Sequence, residues 1–416
     1  MKREIYFTFH ASHLSQVMPP PPSSPLTPLS GLRVLEFSHA VLGPMCGLML
    51  ADFGAEVIRV EPPTGDPTRT LKGFGMGYYP FFNRNKKSLA VDIKTEEGRA
   101  IIHQLLTSTD VLIENFGPGT MTRLSLDYDS LVTNHASLIY ASLKGFMPGP
   151  YEHRTALDEV VQMMSGLAYM TGPPGQPLRA GASVMDIMGG MYGAFGILLA
   201  LKERETTGRG QLVQGALFET AAFVMGHHMA YAAISGEPVP PMPARVSAWA
   251  IYHQFETADG VRVFIGVTSD AQWVRFCEAF EKQEWAADER LQTNNARIDA
   301  RDWFLPMIRA RIGELALADV LARCEQAGVP FSPIARPEDL FTDPQLVGGG
   351  SLLETLLPNG MTVPLPRQPL ALDGRAGAVR LPPPELGAHT REILQAMGYE
   401  TRQIQALSAQ GIIFTG

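Results

Sequence analysis

Two acidic residues stand where a carboxylate can do chemistry. The first, Asp186, lies in "GASVMDIMGGMYGAFG", residues 181–196, ahead of glycines at 189, 190, 193 and 196 and of the apolar run "ILLAL". No proline interrupts the segment, so it reads as a helix beginning near 185–187. A carboxylate there faces the positive end of the helix dipole, which is expected to keep it ionised and able to attack an acyl carbon. The glycines recur at spacings of three and four and form one bare stripe, open to another backbone or to a ligand. An N-cap on a closely packed helix is the plain alternative. The second acid, Asp158 in "RTALDEVVQMMSGLAYMTG", also heads an apolar helical run and taken alone reads as a cap. If the two helices are neighbours, the acids form a paired-carboxylate site; their spacing in the chain does not decide it.

Other reactive residue types offer less. Cys46, Cys277 and Cys324 are far apart, with no CxxC or Cys/His ligand spacing, and read as reduced thiols of a cytoplasmic protein. His227 and His228 are adjacent, and a helix would splay them by about 100°, so no metal site is expected. Glu61 ends a strand where an acid can hold a nicotinamide ribose. However, the preceding turn, "FSHAVLGP", has a single glycine and lacks the GxGxxG nest for a pyrophosphate. The 416 residues carry 34 basic and 42 acidic side chains, a formal net charge of −8, which gives no basic excess for nucleic acid. No window holds 18 uninterrupted apolar residues, so no membrane span is expected. The apolar piece at the N-terminus is too short for a signal peptide, and "PPPPSSPLTP" is expected to be a disordered lead-in.

The elements that must position the acids can be read from periodicity. "LRVLEFS" is a buried strand, "AVLGPMCGLMLADFG" a helix closed by Gly54, and "AEVIRVEPP" a second strand. "SLAVDIK", a helix capped by Thr95, "DVLIENF" and "SLIYASLKGF" continue the alternation. After the Asp186 helix come a strand in "GRGQLVQGA" and a long helix through "HHMAYAAIS". A hairpin turning at "ADG", helices over 270–327 with Trp273 and Phe276 in the core, and a β-rich tail complete the chain. Strands alternating with helices predict an α/β fold with a mostly parallel sheet and ligands at the carboxyl ends of its strands.

Taken in order, "GLRVLEFSHAVLGPMCGLMLADFGAEVIRVEPPTGDPTR", "NRNKKSLAVDIKTEEG", "TDVLIENFGPGTMTRLSL", "SLIYASLKGF", "GASVMDIMGG" and "TTGRGQLVQGALFE" resemble the class III CoA-transferases, the formyl-CoA and carnitine CoA-transferase group of the CaiB/BaiF family. The resemblance runs from about Gly31 to the end. It implies a Rossmann-like large domain plus a smaller α+β domain, in a homodimer of interlocked rings. The boundaries it suggests are a lead over 1–30, the large domain over 31–225, a small domain over 226–335, and a return to the large domain over 336–416.

The resemblance also implies a mechanism. An Asp at the position of Asp186 attacks an acyl-CoA thioester, giving an aspartyl anhydride and then an aspartyl-CoA thioester, from which an acceptor acid takes the CoA. Asp158 falls at the family's second acid. CoA contacts fall at His39, Ala40, Val91, Lys94, Asn115, Phe116 and Arg123, with Arg69 a further phosphate contact. From the residues themselves, the amides of Gly189 and Gly190 are candidate oxyanion donors beside Asp186 and Arg245 is a candidate contact for the acceptor, with Val41 in the first turn near the nucleophile. CoA and acyl-CoA are substrates, with no tightly bound cofactor and no metal.

Two departures from the formyl enzyme stand out: Val41 replaces a Gln, and "PMPARVSAW" stands where that enzyme has a run of glycines. The 2-methylacyl-CoA racemases share the fold and the acid but place a His immediately before the second acid. Here that residue is Leu157, which favours CoA transfer unless His39 or His153 substitutes. A noncatalytic CoA-binding subunit is a third reading, opposed by the intact Asp186. Arg245 or Arg179 can hold a second carboxylate bidentately, which suits a dicarboxylate acceptor with succinyl-CoA as donor.

Overall fold

Aliphatic and β-branched runs bounded by Gly, Pro and Asp make six short strands: β1 (Arg33–Phe37), β2 (Glu56–Glu61), β3 (Lys86–Val91), β4 (Val111–Glu114), β5 (Ile139–Lys144) and β6 (Leu212–Ala216). In this computed structural model, which describes residues 25–245 and 247–416, they pair in parallel in the order β3-β2-β1-β4-β5-β6. Ile413–Phe414 adds an antiparallel edge beside β3. That order is the doubly wound arrangement, in which the crevice at the carboxyl end of the central strands is the natural ligand site.

Five helices position the site: α1 (Leu42–Asp52), α2 (Glu96–Leu106), α3 (Asp158–Met164), α4 (Val184–Thr207) and α5 (Leu217–Val224). The side chain of Thr95 caps α2 by accepting the Gly98 N–H at 3.0 Å, as the sequence predicts. Gly208, at φ +69°, ends α4 in the left-handed region that a residue with a Cβ avoids. The single long helix expected after β6 is instead two, α5 and Gly226–Ser235, breaking at Met225 ahead of a glycine.

By its contacts the chain forms two units. One comprises residues up to Leu167, Arg179–Ala230 and Gly348–Gly416; the other comprises Ala168–Leu178 and Tyr231–Val347. The second unit holds the antiparallel strands β7 (Ile251–Glu256), β8 (Arg262–Val267) and β9 (Phe331–Pro333). Helices pack there around Trp273, Phe276, Phe280 and Phe304, all buried. The segment Ala168–Leu178 joins this unit, with the Met242 N–H donating to Met170 O at 3.0 Å. Of the lead expected over 1–30, residues 1–24 lie outside the described residues. In the remainder of that lead Leu26 is buried and its N–H donates to Ala376 O, which anchors the segment.

In the first unit, α1 and α4 cover one face of the sheet. Beneath α1 the sheet carries charge. Glu36 of β1 is fully buried between Arg59 of β2, at 3.0 Å, and Lys86 of β3, at 2.8 Å. A Cβ on Gly47 of α1 would stand 1.7 Å from Glu36 Oε2, so only glycine lets α1 lie over this ion triad. At the far end of α1, Asp52 is buried and bidentate to Arg84, through Nε at 3.1 Å and Nη2 at 2.7 Å, and it also accepts from Asn85 and Gln368. Since Gln368 and the Arg84 contact to Pro366 O belong to the returning C-terminal segment, Asp52 is the clasp that holds this return against α1. Asp52→Ala leaves a buried guanidinium unpaired and is expected to cost about 3 to 5 kcal/mol. Denaturant unfolding measures it, and a loss below about 1 kcal/mol contradicts the clasp.

Candidate active site

The two acids meet at one helix start. Asp158 is the first residue of α3 and is 3% exposed. Its Oδ2 accepts the backbone N–H of Met185 at 2.8 Å and of Asp186 at 3.1 Å. The remaining first-turn amides of α4 are also taken, Val184 by Ala182 O and Ile187 by Ser183 O. Asp158 is therefore the cap of α4, supplied from another helix, while Ser183 at the N-cap position makes no side-chain cap. Its other oxygen, Oδ1, accepts from Gln162 Nε2 and lies 3.5 Å from Arg179 Nη2, and Arg179 also pairs with Glu159.

Asp186, half-buried in the first turn of α4, is left with the opposite environment. From sequence the helix dipole is expected to hold it ionised; the structure corrects that. Burial, then the negative charges of Asp158 and Glu159, push its carboxyl up to about 7, and Arg179 only partly opposes them. The amides that would stabilise it are spent on Asp158. A carboxyl poised near neutrality and short of donors makes a more basic, more reactive nucleophile than an ordinary surface aspartate.

The glycine stripe of α4 has a packing purpose. A Cβ on Gly190 would stand 2.7 Å from the Leu42 carbonyl oxygen and 2.8 Å from Met45, and one on Gly189 would stand 2.8 Å from the Leu42 side chain. Gly193 and Gly196 meet Leu143 and Val213 of β5 and β6 in the same way. Gly189 and Gly190 are buried inside the helix, where their amides belong to its own ladder. The stripe is thus filled by α1 and the sheet, which corrects the expectation that these two glycines offer oxyanion donors. Val41, expected near the acyl group, is buried in a small cluster with Leu48 and Phe82 against which Ile187, the residue after Asp186, packs.

The expected CoA residues fall in three groups. His39, Val91, Lys94, Phe116 and Arg123 line one cleft of about 950 Å³ at the carboxyl ends of β1 to β4. Phe116 is half-buried with its ring 5.8 Å from that of His39, and Lys94 and Arg123 are exposed cations. Asn115 and Ala40 shape the cleft from behind. Asn115 Oδ1 accepts the His39 N–H at 2.9 Å, its Nδ2 donates to His39 O at 3.0 Å, and Ala40 takes φ +59° to make the turn. Arg69, by contrast, is engaged elsewhere: it is bidentate to Glu61, stacks 4.0 Å over the Tyr79 ring and donates to Pro384 O. Arg245 is exposed in the second unit, in a turn closed on Pro241 O.

Sequence reasoning missed Arg99, which also lines the cleft, and Gln162. The i, i+4 spacing of Asp158 and Gln162 was the available signal for the second. Among the described residues no group of three or more His, Cys, Asp or Glu forms a metal-binding cluster. Leu157, where a racemase has its His, is 62% exposed, and His153 is exposed and paired with Glu152.

Comparison with known proteins places the chain in a family. Residues 29–390 match CoA-transferase family III. A succinate–glutarate CoA-transferase of Agrobacterium fabrum is 35% identical over 88% of this chain and 95% of its own. The human succinyl-CoA:glutarate CoA-transferase is 30% identical, covering 93% of this chain and 90% of its own. A crystal structure of a CaiB/BaiF family protein from Brucella suis superposes with a TM-score of 0.80 at 34% identity, over 89% of this chain and 99% of that one.

The Asp186 environment has two measurable outcomes. If the ionised form reacts, kcat/KM rises with pH through about 7. Asp158→Asn, which removes a charge but keeps the shape, is expected to move that limb down by about one unit. A limb left in place contradicts the repulsion. For stability the sign is reversed from a typical salt-bridged acid. The native state binds this proton more tightly than the unfolded chain, so stability present below the unfolded value of 3.8 is lost as pH rises through about 7. Asp186→Asn avoids the loss and is expected to be more stable than wild type at pH 8 by at most about 4 kcal/mol. Equal stability there contradicts the assignment.

Proposed function

The chain belongs to CoA-transferase family III, and on that premise we propose that it moves CoA from succinyl-CoA to a second dicarboxylate through covalent intermediates on Asp186. The observation that carries the reading is the pairing at the start of α4: Asp158 takes the amides, and Asp186 is left half-buried beside it without them. The Asp186 carboxylate attacks the thioester carbonyl, the C–S bond breaks, and an acyl-aspartyl anhydride and CoA thiolate form. The thiolate then attacks the Asp186 carbonyl, expelling the donor acid and leaving an aspartyl-CoA thioester. The acceptor carboxylate repeats the two steps in reverse and leaves as the new acyl-CoA.

CoA is proposed to lie in the cleft above β1 to β4. Phe116 offers an apolar face to the adenine, and Lys94, Arg99 and Arg123 offer charge to the phosphates. The turn His39–Ala40–Val41 supports a continuous path for the thiol arm, because His39 lines the cleft while Val41 and Ile187 share a cluster. Arg69 joins the phosphate site only by giving up its pair with Glu61. The dicarboxylate preference is supported by the two similar enzymes, whose names specify succinate or succinyl-CoA and glutarate. For the distal carboxylate, Arg179 stands beside the acid pair.

We also propose an interlocked homodimer in the cytoplasm, where the three free, buried cysteines stay reduced. The helix α4 is 24 residues long and contains an 18-residue stretch with a mean hydropathy of 1.7, enough by length and composition to cross a membrane. One side of it is packed on α1 and the sheet, and the other exposes Tyr192, Phe195, Leu198 and Leu199. An apolar face of that size needs a cover. A second copy of the chain supplies it in this reading.

Hydroxylamine tests the chemistry. Enzyme incubated with succinyl-CoA and hydroxylamine is expected to carry a hydroxamate at Asp186, seen by peptide mass spectrometry, and Asp186→Asn is expected to lose at least about 10³ of the transfer rate. A racemase or a binding subunit gives no adduct. With succinyl-CoA as donor, C4 and C5 dicarboxylates are expected to accept CoA; transfer confined to monocarboxylic acids overturns the substrate assignment.

A further inference from the structure

Asp158 is held by more than the helix it caps. Gln162, one turn along α3, is 0% exposed. Its Nε2 donates to Asp158 Oδ1, and its Oε1 accepts the Ala180 N–H at 2.8 Å. One side chain thus ties the capping acid to the segment that enters α4. A core position on a helix is ordinarily filled by an aliphatic residue, and a buried amide is costly unless both its ends are matched. Here both are, and both partners belong to the site: one is the acid that fixes the first turn of α4, and the other lies six residues before the nucleophile. Resting on the reading of Asp186 as nucleophile, we propose that Gln162 is a positioning residue for CoA transfer, acting through Asp158 and Ala180 to fix the direction in which α4 presents the Asp186 carboxylate.

The charged groups around the pair are few. Asp158 and Glu159 come from α3, and Arg179 comes from the segment entering α4. From α5, which packs on both helices, Glu219 accepts the Met147 N–H at 3.1 Å. From α1 come Asp52, bound to Arg84, and Cys46, whose thiol burial pushes upward and keeps neutral. A charge introduced at position 162 would therefore add directly to the repulsion within the acid pair, with Arg179 beside the pair to oppose it.

Two variants of the full-length enzyme, assayed with succinyl-CoA and glutarate, test the proposal. Gln162→Leu keeps volume and burial but removes both hydrogen bonds. It is expected to lower kcat about 100-fold with KM for succinyl-CoA within about twofold, because a nucleophile misdirected by a fraction of an ångström loses rate rather than binding. Gln162→Glu keeps an acceptor for Ala180 and adds a negative charge beside Asp158. Its ascending pH limb is expected to move to higher pH by about one unit relative to wild type. A purely structural glutamine would lower the yield of folded Gln162→Leu while leaving the kcat of the folded fraction at the wild-type value; the Gln162→Glu limb checks that position 162 acts on the acid pair at all. A wild-type kcat in folded Gln162→Leu, or an unmoved limb in Gln162→Glu, overturns the proposal. Should Gln162→Leu fail to fold, Gln162→Met, which keeps the unbranched shape without either hydrogen bond, takes its place: a kcat lowered about as much is expected, and a wild-type kcat overturns the proposal. Absence of transfer or of the Asp186 hydroxamate in wild type overturns the nucleophile assignment instead, so the two failures are distinguishable.

Discussion

One helix start has amides for one carboxylate, and two carboxylates stand there. Asp158 receives the N–H groups of Met185 and Asp186, so the helix dipole and its hydrogen bonds satisfy the buried acid of α3. Asp186, on the helix itself, receives burial and a neighbouring negative charge. A proton held near neutrality is the result of that division. So is a carboxylate whose ionised form is poorly solvated, the property that the proposed nucleophile needs. The cost falls on stability above neutral pH, the usual exchange where a site is kept strained for chemistry.

The rest of the first unit serves to hold that helix start still. Glycines at 189, 190, 193 and 196 let α4 sit almost in contact with α1 and with β5 and β6, which leaves little freedom for its first turn to shift. In turn, α1 is fixed at its middle by Gly47 over the Glu36 ion triad and at its end by the Asp52 clasp to the returning C-terminal segment. The β1–α1 turn connects the cleft with the acid pair: His39 lines the cleft, and Val41 packs with Ile187. Residues distant in sequence thereby converge on two adjacent positions of α4.

Local patterns made most of the parallel sheet legible in the sequence, since the strands are short apolar runs bounded by Gly, Pro or Asp and the helix after β3 starts at a recognisable cap, Thr95. The two acids were legible as candidates for the same reason, each leading an apolar helical run. The electrostatics of Asp186 were not. A helix dipole favours an acid most where the helix start is unoccupied, and which acid occupies it is a tertiary fact fixed by the packing of α3 on α4. The glycine stripe was ambiguous between ligand and backbone, and only the positions of Leu42 and Met45 decide for backbone. Arg69 and Arg123 look equivalent as cations in sequence; one is bound to Glu61 and the other is free to face the cleft, because Glu61 ends a neighbouring strand.

The protonation of a single side chain underlies the whole site, and infrared difference spectroscopy reads it directly. Wild-type minus Asp186→Asn spectra, collected between about pH 4 and pH 9 to span the ordinary and raised values, isolate the carboxyl stretch of this residue. A protonated carboxyl band that titrates away with a midpoint near 7 is the expected result. A band already absent at about pH 5, the behaviour of an ordinary aspartate, would contradict it.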